Sequence, residues 1–130
     1  MLLFGHRFIS SESFYHISDI EAISKTPPNS TTYLEFVESN LDVIKHLNQN
    51  SVTFALSVNT LTELIYASSL GASYIIVTPE LAKSAQNIAE SYLFDAKVLV
   101  SIEREESIEE MAELGIDGVV FSNAIIKINS

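Results

Sequence analysis

Cysteine and tryptophan are both absent from this 130-residue chain. Without a thiol, the chain forms no disulfide, no cysteine-ligated zinc or iron–sulfur site and no thiolate nucleophile. Basic residues are also scarce, since seven Lys and Arg face seventeen Asp and Glu for a formal net charge of −10. An acidic surface of this kind repels phosphate backbones and anionic lipids. We therefore expect neither nucleic acid nor a membrane as a partner.

Glycine and long apolar runs are scarce as well. Only four glycines are present, and none lies in a P-loop, a dinucleotide-binding fingerprint or a nucleophile elbow. No apolar run approaches the ~20 residues that a membrane helix requires. Hydrophobic residues nevertheless make up 47% of the chain, which is typical of a folded domain. We expect one α/β domain over residues 1–130, located in the cytoplasm.

A repeated unit of strand, polar cap and amphipathic helix runs through residues 32–130. Its apolar runs begin roughly every 20 to 24 residues, the length of a strand with a crossover helix and short loops. Alternation of this kind predicts a parallel sheet. The predicted strands are Tyr33–Val37, Thr53–Val58, Tyr74–Val77, Lys97–Ile102 and Gly118–Phe121.

The predicted helices carry recognisable start and stop signals. Thr60–Glu63 and Ser107–Glu110 are capping-box patterns, and Thr78 is followed by proline at the first helical position. Gly71 and Gly115 come directly after helical patterns, where a left-handed cap favours glycine. These signals predict three helices, and a fourth amphipathic pattern lies between the first two strands.

Two architectures fit this organisation. The first is an open sheet of about five parallel strands with helices on both faces, as in flavodoxin-like or Rossmann-like folds. The alternative is half of a (β/α)8 barrel, whose exposed interior a second copy of the chain would cover. Residues 1–31 lack room for a crossover helix, so we expect them to add a strand or a hairpin at the edge of the sheet.

The segment Lys97–Lys127 resembles the closing units of phosphate-binding (β/α)8 barrels such as the tryptophan synthase alpha subunit. Upstream, Leu70–Pro79 is similar to part of 2-keto-3-deoxy-6-phosphogluconate aldolase, so the resemblance covers about residues 52–127. It implies a phosphate held by a glycine-rich turn after the last strand, but Phe121–Ala124 contains no glycine. The aldolase-type lysine is replaced by Val119 and Val120, so we expect no chemistry through a lysine imine.

Polar side chains follow the ends of the predicted strands. In a parallel sheet these ends meet at one edge, where hydroxyls, amides and helix N-termini can bind a small anionic ligand. The same residues would also serve simply to cap helices and turn the chain. The candidate ligand-binding residues are Ser57, Asn59, Thr78, Ser101, Glu103, Ser122 and Asn123.

The sequence predicts no catalytic residue, no metal ligand and no cofactor. His6 and His16 flank a turn in the N-terminal segment without a recognised ligand spacing, and their roles stay open. Whether the chain is an enzyme, and with which substrate, also stays open.

Two functions remain compatible with the sequence. The first is a non-catalytic domain that acts by self-association or by binding a protein partner. We expect it to form a homodimer that buries part of residues 1–17 or of the tail at 124–128. The second is a protein or enzyme that binds a small molecule, such as a phosphorylated metabolite, at the C-terminal edge of the strands.

Overall fold

A computed structural model of the chain describes residues 1–128. Eight strands and four α-helices alternate along most of the chain. The strands are β1 Leu2–Phe4, β2 Phe14–His16, β3 Thr31–Glu35, β4 Phe54–Ser57, β5 Tyr74–Val77, β6 Lys97–Ile102, β7 Gly118–Phe121 and β8 Ile125–Lys127. The helices are α1 Leu41–Gln49, α2 Leu61–Ser69, α3 Ala82–Ser91 and α4 Glu106–Glu113.

All eight strands belong to one parallel sheet in the order β1-β7-β6-β5-β4-β3-β2-β8. The expectation of about five strands is therefore wrong. The N-terminal segment contributes two strands, and the residues after β7 contribute another. β1 and β2 do not form a hairpin, because β1 pairs with β7 at one edge whereas β2 lies between β3 and β8.

Local signals place the helices largely as predicted. The Thr60 Oγ1 accepts a hydrogen bond from the Glu63 backbone N–H at 3.1 Å, as an N-cap does. Gly71 and Gly115 end their helices with φ of +95° and +75°, which confirms the predicted left-handed caps. The helix start predicted from the second capping-box pattern, Ser107–Glu110, is wrong. α4 begins at Glu106, so Ser107 lies inside the helix.

Helices cover only one face of the sheet, contrary to the expectation of helices on both. On this convex face, helix residues such as Ile44, Leu64 and Met111 pack with alternate strand residues such as Leu56 and Val98. The opposite, concave face contains no residue from α1–α4. Its buried members are Phe4, Phe14, Ala55, Ile76, Leu99, Val120 and Ala124.

The sheet is open but curled into a half-barrel, which is the alternative architecture. β1 and β2 are the first and seventh strands in the sheet order, yet the rings of Phe4 and Phe14 lie 4.9 Å apart. Only a strongly curved sheet brings side chains from these two strands into contact. Within residues 1–128 no strand ladder joins β1 to β8, although Asn123 Nδ2 donates to the Gly5 carbonyl oxygen at 2.9 Å and links the two edges.

The chain fills the concave face with its own side chains, so the fold needs no second copy to cover it. The Tyr74 ring lies 5.6 Å from both Phe4 and Phe14 in edge-on contacts. Such aromatic contacts stabilise beyond simple area burial. None of the helices between residues 1 and 128 has the length and apolar character to cross a membrane.

Candidate functional site

A cavity of about 200 Å³ opens at the C-terminal ends of the strands, above the concave face. We call it the mouth cavity. Four hydroxyl-bearing side chains and one amide surround it, together with aliphatic groups. Its lining residues are Tyr33, Ser57, Val58, Asn59, Ile76, Val77, Thr78, Ser101 and Ile125.

Strand periodicity explains why hydroxyls line this cavity. Successive side chains of a strand point to opposite faces, so residues two apart share a face. Ser57 therefore shares the concave face with Ala55, and Ser101 shares it with Leu99. In both strands the inward residue changes from apolar to hydroxyl towards the C-terminal end. The half-barrel is accordingly apolar in its interior and polar at its mouth.

Tyr33 is the largest polar side chain of the mouth cavity, and it is half-buried. Burial raises the pKa of its hydroxyl; hydrogen bonding with the Ser57 side chain lowers it and the nearby Glu35 carboxylate raises it. The net shift is upward, so the phenol is neutral at physiological pH and can both donate and accept a hydrogen bond. The His16 ring packs against the Tyr33 ring at 4.9 Å in an edge-on contact.

A carboxylate stands beside the Thr78 wall of the cavity. Glu80 is fully exposed, and its pKa is lowered by its own backbone N–H and then by hydrogen bonding with the Thr78 side chain. Both interactions favour the charged form. Glu80 is therefore ionised at neutral pH, two residues beyond Thr78 of the cavity lining.

The structure brings four of the seven predicted residues into the mouth cavity, namely Ser57, Asn59, Thr78 and Ser101. The other three, Glu103, Ser122 and Asn123, are not among its lining residues and bond within the chain. Ser122 Oγ donates to Glu103 Oε2 at 3.2 Å, and Asn123 Nδ2 donates to the Gly5 carbonyl oxygen. The glycine-free turn after β7 thus directs its side chains towards protein groups.

Sequence reasoning missed five residues of the lining, namely Tyr33, Val58, Ile76, Val77 and Ile125, of which only Tyr33 has a polar side chain. Tyr33 could have been recognised from its spacing, since residues two apart in a strand share a face and Thr31, Tyr33 and Glu35 therefore lie on one face of β3. Without the curl of the sheet, that face could not be recognised as the wall of a cavity. Ile125 belongs to β8, which has only three residues and is therefore too short for a periodic pattern to predict it as a strand.

A second polar group joins the loops after β1 and β6. His6 Nε2 lies 2.9 Å from Glu105 Oε1, and Arg7 Nε lies 3.0 Å from the same oxygen. The Phe8 N–H donates to His6 Nδ1 at 3.1 Å, so hydrogen bonding assigns the ring proton to Nε2. Arg7, chiefly through its hydrogen bond, lowers the pKa of Glu105. His6 therefore connects two loops, whereas His16 contacts Tyr33 on another strand.

A larger cavity of about 440 Å³ lies outside the half-barrel, between α1 and α2. Its walls are mainly the apolar side chains of Phe36, Leu41, Tyr66 and Leu70. Binding sites combine apolar walls with a few convergent polar groups that orient the ligand. The mouth cavity meets that description better despite its smaller size, because its hydroxyls converge from β3, β4 and β6 and from the residue after β5.

Within residues 1–128, no three His, Asp or Glu side chains cluster in a way that could hold a metal ion. No protein-family model and no curated protein matches the chain. The chemistry of its own residues is thus the basis for assigning a function.

Proposed function

We propose that the protein binds a small polar metabolite in the mouth cavity, and that it does so in the cytoplasm. The observation that carries this proposal is the convergence of the Tyr33, Ser57, Thr78 and Ser101 hydroxyls on one cavity. Each hydroxyl can donate and accept hydrogen bonds, so together they can fix the orientation of a ligand. The aliphatic floor, including Ile76 and Val77, supplies apolar contact beneath it.

The position of the cavity supports the same proposal. Ligands of parallel α/β proteins bind outside the carboxyl ends of the strands, where loops and helix N-termini converge. The resemblance of residues 52–127 to phosphate-binding barrel units favours this end of the half-barrel as well. Phosphorylated and unphosphorylated metabolites therefore both belong in a ligand search.

A thermal-shift screen with the full chain tests this function. A ligand present at 100 times its dissociation constant stabilises the folded state by about 2.7 kcal/mol. We expect Ser57→Ala and Ser101→Ala to weaken that ligand's stabilisation, because both remove a hydroxyl from the lining. Ser84→Ala is the matched control, since Ser84 is an exposed residue of α3 outside the cavity. Stabilisation that survives both cavity variants would place the ligand elsewhere and refute the proposal.

A second function, self-association, is favoured by exposed apolar residues in the segments where the sequence predicts a dimer. Leu2, Phe8, Ile9 and Ile126 are each at least 39% exposed, and within residues 1–128 no strand pairs with one side of β1. Light scattering at high micromolar concentration should then report a dimer mass, and Phe8→Glu should reduce it. A monomer mass at that concentration would exclude this function.

A further inference from the structure

Polar groups around the mouth cavity that could bind an anion are already engaged by groups of the chain. Ser122 Oγ donates to Glu103 Oε2 at 3.2 Å. The Asn59 backbone N–H donates to Glu63 Oε1 at 2.9 Å, at the start of α2. In each case a carboxylate of the protein occupies a position where a phosphate oxygen would otherwise accept the hydrogen bond.

Positive charge is also missing from the cavity wall. Among residues 1–128, the lining includes no Lys, Arg or His. The nearby Arg7 already binds Glu105 through two hydrogen bonds, at 3.0 and 3.3 Å. Lys127 is the register partner of His16 on β8, and it too lies outside the lining. A dianionic phosphate in the cavity would therefore find no cationic side chain in the wall to neutralise it.

What the lining does offer suits an uncharged ligand. Hydroxyls and an amide can pair with the hydroxyls of a ligand in either direction, and neither partner carries a charge that must be desolvated. The volume of about 200 Å³ holds roughly seven water-sized groups at ~30 Å³ each. That size matches a short polyol or a small sugar.

We propose that the mouth cavity selects an uncharged, hydroxyl-bearing molecule of the polyol class and excludes phosphate esters. Glu80 and Glu103 are the specificity determinants, because each lies two residues beyond a lining residue, Thr78 or Ser101, and Glu103 also accepts the hydrogen bond of Ser122. This inference rests on the proposed binding function and names the class of ligand for the same cavity.

Matched pairs of probes separate the inference from the function on which it rests. Erythritol and ribitol, each with its phosphate monoester, are titrated into ¹⁵N-labelled protein while the amide resonances of Ser57 and Ser101 are followed. We expect the free polyol to shift both resonances and its phosphate ester to bind about tenfold more weakly or worse. If the ester binds as tightly as the polyol, the inference is wrong while the binding function stands. If none of these compounds shifts the resonances, the polyol class is wrong, and the thermal-shift screen with Ser57→Ala and Ser101→Ala decides separately whether the binding function fails.

Charge removal provides the second test. The double variant Glu80→Gln/Glu103→Gln should increase affinity for the phosphate ester about tenfold and leave affinity for the polyol within about twofold. Glu113→Gln/Glu109→Gln is the matched control, because it removes two exposed carboxylates of α4, whereas Glu80 and Glu103 each lie two residues beyond a lining residue. An equal gain in both double variants would mean that overall charge, rather than Glu80 and Glu103, excludes the ester, and would overturn the assignment.

Discussion

The two ends of the concave face differ in what fills them. Towards the N-terminal ends of β2 and β5, Tyr74 packs edge-on against Phe14 and against Phe4, the last residue of β1, and its hydroxyl donates to Glu12 Oε1 at 3.3 Å. At the C-terminal ends, Tyr33 stands beside small hydroxyl residues and the mouth cavity. A cavity of about 480 Å³ also borders Phe4 and Tyr74, so the two ends differ in their side chains. Aromatic rings pack against one another at one end, which we call the aromatic end, whereas small polar side chains line the other.

This difference in side chains predicts that one end of the concave face contributes mainly to the stability of the fold and the other mainly to ligand binding. A closely packed interior stabilises the fold because each buried ring gains apolar burial and dispersion contacts. An open polar site gains little of either, since its side chains remain partly hydrated. We therefore expect substitutions at the aromatic end to affect mainly the free energy of unfolding. Substitutions at the mouth should affect mainly ligand affinity.

The largest effect is expected from Phe14→Ala. Phe14 is fully buried, and its loss would leave a cavity between Phe4 and Tyr74. Such truncations of buried phenylalanine cost about 3–5 kcal/mol. Urea unfolding followed by circular dichroism measures the change, with Phe8→Ala as the control.

Phe8 suits this comparison because it is 71% exposed and belongs to the same N-terminal segment. Its contacts are with exposed Arg7 and with His6, so its truncation should cost less than about 1 kcal/mol. If Phe14→Ala and Phe8→Ala lowered the free energy of unfolding equally, stability would not depend on aromatic packing at the aromatic end. The proposed difference between the two ends would then be wrong.

The next largest effect is expected at Gly118, where β7 meets the edge strand β1. A Cβ on Gly118 would lie 2.8 Å from the Leu2 carbonyl oxygen and 2.7 Å from Leu2 Cβ. Gly118→Ala must therefore displace β1, and overpacking of this kind costs about 1–3 kcal/mol. Hydrogen exchange should show faster exchange at the Leu2 N–H, which donates to the Asp117 carbonyl oxygen.

Gly115→Ala is the control, because a Cβ there meets no atom within 4 Å and only the positive φ of +75° opposes it. That conformational cost is about 1 kcal/mol. Faster exchange at Leu2 in the Gly115 variant as well would show that global destabilisation, not a clash with β1, is responsible.

The sequence was sufficient to predict the elements that form from local signals. Strands β3–β7 overlap the predicted apolar runs, although β3 spans Thr31–Glu35 rather than Tyr33–Val37. Gly71 and Gly115 end helices because glycine adopts positive φ without strain. The curl was not predictable in this way. It depends on the meeting of Phe4 with Phe14, and β1 and β2 have only three residues each, too few for a periodic pattern.

The candidate site was predictable to the same extent. Ser57, Thr78 and Ser101 were recognised because each lies at or just beyond the predicted end of a strand, and all parallel strands end at one edge. Tyr33 was missed because its role depends on which face becomes concave. Ser122 and Asn123 were chosen by the same rule, but they bond to Glu103 and Gly5, and sequence alone does not reveal such long-range partners.

A smaller effect is expected at alkaline pH, and it compares the two tyrosines directly. Burial is the main cause that raises the pKa of both Tyr33 and Tyr74. The unfolded chain ionises these phenols near pH 10, whereas the folded protein holds them neutral to higher pH. Above about pH 10 the unfolded state therefore binds fewer protons, and stability falls as pH rises through the folded pKa values.

Spectrophotometric titration of tyrosinate, together with urea unfolding at several pH values, tests this. Tyr33→Phe and Tyr74→Phe should each remove one late-ionising group and reduce the loss of stability above pH 10. Tyr74 also bonds to Glu12, and proximity of that carboxylate further raises its pKa. If either substitution instead removed a tyrosine that ionises at the pH of a solvent-exposed phenol, the prediction of a raised pKa would be wrong for that residue.

The smallest change in stability is expected at the mouth, from Ser101→Ala. Ser101 is half-buried, and within residues 1–128 its hydroxyl has no hydrogen-bond partner. Its removal leaves no buried partner unsatisfied, so the cost should stay within about 0.5 kcal/mol. If this hydroxyl instead contacts a ligand, the same variant should lose ligand-induced stabilisation while the unfolding midpoint of the free protein is unchanged. A large loss of stability in the free protein would mean that Ser101 belongs to the packed interior. The mouth would then not be a binding end distinct from the aromatic end.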